Sequence, residues 1–232
     1  MIVAGLGTAC RNSSEPSNQP DVSAASAPSG QAQGSRHLFP PQDLGLLDAP
    51  DRDEWQKPEL IMDTLGIADG AIVADLGAGG GWFTVRLARR VGPNGLVYAE
   101  DIQPLMLEAI ARRAAREDLR NVRTVLGTPS DPALPPGLDA VLIVDAFHEM
   151  DDPVPLLRNI ARALKPQGRL GVVDFTPGGG GPGPDPDERV DPETVVAAAA
   201  AAGLEVVTRE AVPPFLFLLV FTPADTPGPG GL

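Results

Sequence analysis

The sequence is poor in the side chains that build disulfides and transition-metal centres. It has one cysteine, Cys10, among 232 residues, which excludes an internal disulfide and a cysteine zinc site. Its two histidines, His37 and His148, are too few for a histidine-built metal centre. We therefore predict no bound metal, and among metal sites the sequence leaves open only an acidic one.

Basic residues and long hydrophobic runs are also scarce. Lys and Arg number 18 against 31 Asp and Glu, which gives a net charge of −13. A chain without a basic face does not neutralise phosphates, so we expect no nucleic-acid partner. No segment has the roughly 20 apolar residues that cross a bilayer. The acidity predicts a well-solvated surface around a core that the 43% hydrophobic content can supply.

Residues 1–10 are small and apolar, end on Cys10, and give way abruptly to polar sequence. This resembles the end of a bacterial lipoprotein signal, in which the cysteine is lipidated. The run lacks a positively charged front and is short against the usual ~7–15 apolar residues, which a start site placed too far downstream would explain. An ordinary loose N-terminus is the alternative. Envelope lipoprotein and cytoplasmic protein therefore both stay open as locations, and Cys10 is the only membrane attachment we predict.

Composition divides the rest of the chain. Residues 11–36 are rich in Ser, Ala, Pro, Gly and Gln, which predicts a disordered tether. Residues 37–57 form an N-terminal lid segment, in which Trp55 either covers the site or simply staples the segment to the domain. Residues 58–223 form the folded domain, and residues 224–232 are a disordered tail.

The domain is organised around residues 73–83, V-A-D-L-G-A-G-G-G-W-F. An apolar run closed by an acid is typical of a central parallel strand. Gly77, Gly79 and Gly81 carry no Cβ, so a ligand can lie against the main chain before the next helix begins. A tight turn without a ligand is the alternative interpretation.

The spacing of the glycines selects the ligand. A dinucleotide fingerprint needs a glycine where Trp82 stands, so a nicotinamide oxidoreductase is disfavoured. The pattern Asp75-x-Gly77-x-Gly79-x-Gly81 resembles instead the first motif of the class I S-adenosylmethionine-dependent methyltransferases, among them small bacterial members of undefined substrate. The run from Leu164 to Leu170, L-K-P-Q-G-R-L, is also similar to that family.

The resemblance implies S-adenosylmethionine as the cofactor and a set of binding residues. The next strand ends about 20 residues beyond the loop, where the family acid takes the ribose hydroxyls; Asp101 is the match and Glu100 the alternative. The residue implied to contact the adenine amine is either Thr128, at the position where the family usually has an acid, or Asp131, the nearest acid. The implied cofactor-binding residues are Asp75, Gly77, Ala78, Gly79, Gly81, Asp101, Ile102, Thr128, Asp131 and Asp145.

Strands alternate with helices and end in a pair of strands, which predicts an α/β fold. We expect a doubly wound, mostly parallel seven-stranded sheet, the Rossmann-like methyltransferase fold, with an antiparallel strand near the C-terminus. The glycine- and proline-rich stretch at 175–189 predicts a surface loop, either a substrate lid or a disordered insertion. This loop and the lid segment would build the acceptor pocket.

His148 and Asp145 are the candidate catalytic residues because both follow the fourth strand, on the ligand-binding side of such sheets. A histidine with a pKa near ~6.5 suits proton abstraction at neutral pH. A helix-capping role is the alternative for His148, and for Asp145 the family parallel is contact with the methionine end of the cofactor. The implied function is methyl transfer to an unidentified small-molecule acceptor; the alternative is a binding protein without turnover.

Overall fold

The computed structural model describes residues 38–224. The predictions for the lipoprotein signal, the tether and all of the tail except Ala224 lie outside the described residues. A 3-10 helix over Pro41–Asp48 opens the described part, and a second one over Phe147–Glu149 follows the fourth strand.

The elements that follow alternate as the sequence predicts. The helices are α1 (Arg52–Gln56), α2 (Pro58–Thr64), α3 (Trp82–Val91), α4 (Pro104–Arg116), α5 (Pro153–Ala163) and α6 (Pro192–Ala201). The strands are β1 (Ile72–Leu76), β2 (Leu96–Asp101), β3 (Val122–Leu126), β4 (Leu138–Val144), β5 (Leu164–Phe175), β6 (Leu204–Val212) and β7 (Leu216–Pro223).

The strands form one seven-stranded sheet in the order β3-β2-β1-β4-β5-β7-β6. β1 to β5 pair in parallel, whereas β7 is antiparallel to both β5 and β6. This confirms the predicted doubly wound sheet and its late antiparallel strand. The chain reverses its winding direction between β1 and β4, which is where open α/β sheets bind ligands.

Apolar side chains cover both faces of the sheet. One core packs α5 and α6 against it through residues such as Leu157, Ile160 and Val195. The other packs α2 and α3 through residues such as Ile61 and Leu87. Within residues 38–224, none of the helices has the length and apolarity needed to cross a membrane.

The start of β5 differs from the prediction. Leu156, Ile160 and Leu164 recur at helical spacing, which predicts a helix through Leu164 and a strand from Arg169. The strand instead begins at Leu164. Leu164 pairs with Leu138 in β4, and a register shift between Leu138 and Ala140 accommodates the four residues that follow. Pairing with β4 therefore overrides the turn signal of Lys-Pro-Gln-Gly.

Candidate functional site

The carboxyl ends of four parallel strands bring acids together at the switch point. Asp75 is the residue before the last in β1, and Asp101 is the last residue of β2. Asp145 follows β4 directly, and Asp174 is the residue before the last in β5. Asp145 adopts a left-handed backbone conformation, with φ of 53°. Such strain in a non-glycine residue is often found where a side chain must be aimed at a ligand.

The glycine loop has the backbone geometry that its sequence predicts. Gly77, Gly79 and Gly81 have φ values of 66°, 53° and 76°, a region that side chains disfavour. The amide of Gly79 donates to Asp101 Oδ2 at 3.0 Å, and the amide of Ala78 donates to the carbonyl of Glu100 at 2.9 Å. The loop after β1 is therefore held against the end of β2.

Asp75 links the strand before this loop to the helix after it. Its side chain is buried and accepts a 2.6 Å hydrogen bond from Thr84 Oγ1 in α3. Burial raises the pKa of Asp75 to about 6, against the opposing effects of Thr84 and Arg52. The residue thus ties the strand to the helix, and its oxygens face the start of α3.

The structure separates the two acids at the end of β2. Asp101 Oδ1 accepts from the amide of Gln103 at 2.9 Å, so its buried carboxylate joins the glycine loop to the start of α4. Glu100 instead points beneath the loop, where a Cβ on Gly127 would lie 1.8 Å from its Oε1. Burial raises the pKa of Glu100 to about 8. We therefore favour Asp101 over Glu100 as the ribose-binding acid.

The residues proposed for the adenine lie further along the sheet edge. Ile102 is half-buried directly after Asp101. Thr128 and Asp131 close an exposed turn after β3, in which the amide of Asp131 donates to Thr128 Oγ1 at 3.0 Å. Asp131 Oδ1 accepts from the amide of Ala133 at 2.9 Å. Because the carboxylate of Asp131 already serves this turn, Thr128 and Asp131 stay alternative predictions for the adenine contact.

A buried histidine–aspartate pair follows β4. His148 Nδ1 lies 3.1 Å from Asp174 Oδ1, and the His148 amide donates to Asp174 Oδ2 at 3.2 Å. Burial lowers the pKa of His148, but the hydrogen bond to Asp174 and the charges of Asp174, Asp145 and Glu149 outweigh it, so the net pKa is raised. Asp174 thus fixes the orientation of the imidazole ring.

Asp145, His148 and Asp174 place potential ligand atoms within 4.8 Å of one another, a spacing that also suits a metal ion. The hydrogen bonds favour the other interpretation. Besides His148, the fully buried carboxylate of Asp174 accepts a 2.8 Å bond from the amide of Phe175. His148 lies 3.9 Å from Asp145 Oδ1, outside hydrogen-bond distance. We therefore interpret Asp174 and His148 as an oriented acid–base pair.

The lid segment lies directly over the glycine loop. A Cβ on Gly79 would lie 3.4 Å from Leu47 Cδ1, and one on Gly80 would lie 3.2 Å from Leu44 Cδ2. In α4 the apolar residues Met106, Ile110 and Ala114 share one face, a pattern that predicts an outward-facing Arg113. Arg113 turns back instead and donates to the carbonyl of Gly80 at 3.1 Å and to Asp48 at 2.8 Å. A long side chain at a helix edge can reach two loops, which helical periodicity does not reveal.

Arg52 of α1 is the site residue that sequence reasoning missed. It is 8% exposed, and its guanidinium lies 4.4 Å from the ring centroid of Trp82, the first residue of α3. Burial lowers the pKa of Arg52 to about 10, against the raising effects of Asp145 and Asp75. Its signal in the sequence is weak, because the lid segment shows no periodicity.

Trp55 joins the lid segment to the other wall of the site. Its ring lies 5.7 Å from that of Phe175 and 6.5 Å from that of Phe215. The loop after β5 is built around Arg189, which donates to the carbonyls of Thr176, Gly179, Gly180 and Pro184. The structure thus brings together the two segments that were predicted to form the acceptor pocket, and the loop is organised rather than a disordered insertion.

Trp82, Phe83 and Phe147 are packing residues. Phe83 and Phe147 are 4% and 2% exposed within the cores. The Trp82 ring carries the guanidinium of Arg86 at 3.4 Å as well as that of Arg52. A ring that already contacts two guanidinium groups is a poor partner for the cationic group of a ligand.

A surface groove of about 680 Å³ lies outside the switch point, lined by residues of α1 to α3 that include Lys57, Leu60 and Arg89. Its arginines are ion-paired: Arg86 with Asp53, Arg89 with Glu117, and Arg90 with Glu59 and with Asp63. Exposed ion pairs of this kind contribute little to stability. We do not regard the groove as the functional site.

The switch point fits an adenosyl ligand carrying an amino-acid end. The bare main chain of the glycine loop offers close approach, and Asp101 offers oxygens to paired hydroxyls. Asp145 Oδ1 is buried without a hydrogen-bond partner among the described residues, so a polar ligand atom would satisfy it.

Comparison with known proteins identifies the domain that contains the switch point. Residues 73–168, from β1 into β5, match the family model described as a methyltransferase domain. A solved S-adenosylmethionine-dependent methyltransferase from Aquifex aeolicus superimposes with a TM-score of 0.77 at 28% identity, covering 81% of this chain and all of the other. Residues 73–168 therefore form a methyltransferase domain, and the chain is similar in sequence and fold to the class I S-adenosylmethionine-dependent methyltransferases.

The names of two curated relatives of this chain refer to different compounds. A ubiquinone/menaquinone biosynthesis C-methyltransferase of Pasteurella multocida is 37% identical over 129 residues, 53% of this chain and 46% of that protein. Nocamycin O-methyltransferase of Saccharothrix syringae is 33% identical over 118 residues, 50% of this chain and 42% of that protein. The chain thus spans about half the length of these relatives. The cofactor of the family is S-adenosylmethionine, and the switch point is where this methyltransferase domain would hold it.

Proposed function

We propose that the protein transfers a methyl group from S-adenosylmethionine to a small-molecule acceptor. The observation that carries this proposal is the His148–Asp174 pair at the same sheet edge as the glycine loop, two residues beyond Ala146, which lies against Gly77. A binding site alone would need the loop and Asp101, but a buried histidine held by a carboxylate adds a proton acceptor. That pair favours turnover over a protein that only binds the cofactor.

The roles of the chain's own groups follow from their places. When bound, S-adenosylmethionine supplies an activated methyl group, so the protein mainly positions and desolvates the reactants. The glycine loop and Asp101 hold the adenosyl part, with Ile102 and the Thr128–Asp131 turn beside the base. His148 takes the proton of the acceptor, while Asp174 stabilises the imidazolium that forms.

The acceptor enters on the side of Trp55, Phe175 and Phe215. These rings lie between the lid segment and the loop that Arg189 organises. Trp55 Nε1 is buried and lacks a hydrogen-bond partner among the described residues. An acceptor with an apolar or aromatic body and a hydrogen-bond acceptor beside it would satisfy this wall.

The test has two stages. Calorimetry with S-adenosylhomocysteine should show saturable binding to the folded protein. Labelled methyl transfer from S-adenosylmethionine into a metabolite extract should then give a product that mass analysis identifies, and His148→Gln should remove the product without removing binding. Binding with no product from any extract fraction would instead favour the cofactor-binding protein without turnover.

The envelope anchor at Cys10 is a separate proposal, supported by the change from apolar to polar sequence at that residue. Fractionation of the tagged full-length chain tests it. Lipidation predicts membrane-associated wild type and soluble Cys10→Ala, whereas soluble material in both would contradict the anchor.

A further inference from the structure

Trp55 carries a buried hydrogen-bond donor that the chain leaves unmet. Its indole Nε1 is shielded from solvent and has no hydrogen-bond partner within residues 38–224. An indole nitrogen can only donate, and a tryptophan in a protein interior usually finds an acceptor for it. A buried donor without an acceptor destabilises the fold, so this position calls for an oxygen or nitrogen atom that a ligand would bring.

The side chains around Trp55 keep its ring in place. Its ring centroid lies 5.7 Å from that of Phe175 and 6.5 Å from that of Phe215, and we call these three rings the aromatic wall. The loop after β5 lies directly against two of them. A Cβ on Gly181 would lie 2.7 Å from Phe215 Cγ, and one on Gly183 would lie 2.4 Å from Phe175 Cε2. Because the rings and the loop are in close contact, the indole of Trp55 does not turn toward another acceptor.

The aromatic wall ends next to the histidine–aspartate pair. Phe175 is the last residue of β5 and directly follows Asp174, whose Oδ1 lies 3.1 Å from His148 Nδ1. A single small molecule at the end of β5 can therefore contact both the wall and the histidine. The two sides offer it different chemistry, because His148 can take a proton, whereas the wall offers apolar ring surface and one neutral N–H donor.

The charges near the aromatic wall favour a neutral hydrogen-bond acceptor. Asp145 and Asp174 both lie beside His148, so a carboxylate placed there would stand next to two acids. The cation nearest the wall, Arg189, lies 5.1 Å from the Phe175 ring centroid and already donates to four carbonyls of its own loop. A carbonyl oxygen accepts from an indole N–H without bringing a charge, which suits these surroundings.

On the basis of the proposed function, we propose that the methyl acceptor is a planar compound with a hydroxyl and a carbonyl group, and that Trp55 selects it by donating its indole N–H to the carbonyl oxygen. The planar body lies on the aromatic wall. The hydroxyl proton goes to His148, and the hydroxyl oxygen forms the new bond to the methyl carbon. The carbon–sulfur bond of the donor breaks with its electron pair passing to sulfur, so the products are a methyl ether and S-adenosylhomocysteine.

The experiment uses two probes that differ in the carbonyl oxygen. They are hydroxyacetophenone and ethylphenol, each as the meta and the para isomer, added to protein saturated with S-adenosylhomocysteine. Proton–nitrogen NMR follows the indole N–H signals of Trp55 and Trp82, the two tryptophans of the chain, and calorimetry gives the affinity for each probe. Trp55→Phe keeps an aromatic ring and removes the N–H, and Trp82→Phe, which removes the other indole N–H, is the matched control. Thermal unfolding of each variant confirms that the domain is folded.

Hydroxyacetophenone should move the Trp55 indole proton downfield and bind about tenfold more tightly than ethylphenol, the usual effect of one buried hydrogen bond. Trp55→Phe should remove that preference, whereas Trp82→Phe should keep it. A Trp55 signal that moves with both probes or with neither, or a preference that survives in Trp55→Phe, would overturn the assignment. Labelled methyl transfer from S-adenosylmethionine should show the same preference in kcat/KM. A folded wild type that does not bind S-adenosylhomocysteine, or that shows the preference in binding but methylates neither probe, would instead contradict the proposed function.

Discussion

At the residue scale, the pair that decides catalysis is His148 and Asp174. Asp174 lies at the end of β5 and reaches across to the segment after β4, so two adjacent strand ends fix one imidazole. The sequence indicates His148 by its place after an apolar strand. It does not single out Asp174, because the separation of 26 residues hides a contact that only sheet pairing creates.

We expect His148→Gln to lower the methyl-transfer rate by about 100- to 10,000-fold, the usual contribution of a general base. The affinity for S-adenosylhomocysteine should be unchanged, because the adenosyl part lies with the glycine loop. Single-turnover rates and calorimetry on the same protein separate the two effects. A parallel loss of both would assign His148 to cofactor binding instead.

The ionisation of His148 gives a second test. Because its pKa is raised in the fold, the neutral base forms only at a higher pH than for an ordinary histidine, and activity should rise with pH through that value. Asp174→Asn removes the main raising partner, so the pKa should fall and the acidic limb of the rate profile should move to lower pH. Imidazole NMR titration reports it directly, since His37 is the only other histidine. An unchanged His148 titration would contradict the pairing.

At the scale of elements, the glycine loop is the part that sequence predicts best. Each requirement there is local: a buried strand, residues free to adopt positive φ, and a helix with a buried face. The lid segment is the opposite case. Its 3-10 helix and short α1 carry no hydrophobic period, and Arg52 becomes a site residue only because Trp82 lies beneath it. The β5 boundary fails for a similar reason, since partner pairing and not local propensity sets it.

Gly77→Ala tests the loop. A Cβ there would lie 2.8 Å from Ala146 Cβ, and the backbone φ is 66°. Gly70→Ala is the matched control, with φ of 80° and open space around it. Both should lose roughly 1–2 kcal/mol of stability from left-handed backbone, but only Gly77→Ala should also lose S-adenosylhomocysteine binding. Equal affinity in the two variants would remove the loop from the binding site.

The lid segment is tested by its own apolar contacts. The double change Leu44→Ser and Leu47→Ser removes two half-buried side chains, worth ~1–2 kcal/mol of packing, and should speed S-adenosylhomocysteine dissociation roughly tenfold. Leu46→Ser, on the same 3-10 helix but 74% exposed, is the control and should have no effect. Stopped-flow fluorescence of Trp55 and Trp82 follows the release. Identical rates in all three proteins would show that the segment does not retain the ligand.

At the scale of the whole molecule, acids dominate both the surface and the site. The net charge of −13 accompanies a switch point where burial raises the pKa of several carboxyl groups. The values are about 6 for Asp75, about 8 for Glu100, about 6 for Asp145 and about 7 for Glu149. A site that keeps its acids partly protonated when empty is prepared to ionise them when a cationic ligand arrives.

This arrangement fixes the sign of the pH dependence of stability. A carboxyl group with a raised pKa holds its proton in the folded state to a higher pH than in the unfolded chain. Its stabilising contribution is present below the unfolded value near ~4 and is lost as pH rises through the folded value. The melting temperature of the ligand-free protein should therefore fall between pH 5 and pH 8, following the range of these groups.

Glu100→Gln keeps a neutral side chain at every pH and should flatten that fall, whereas Glu205→Gln, on an exposed position of β6, should leave it unchanged. Parallel curves for wild type and Glu100→Gln would contradict a buried, protonated Glu100, and with it the assignment of the ribose to Asp101 alone.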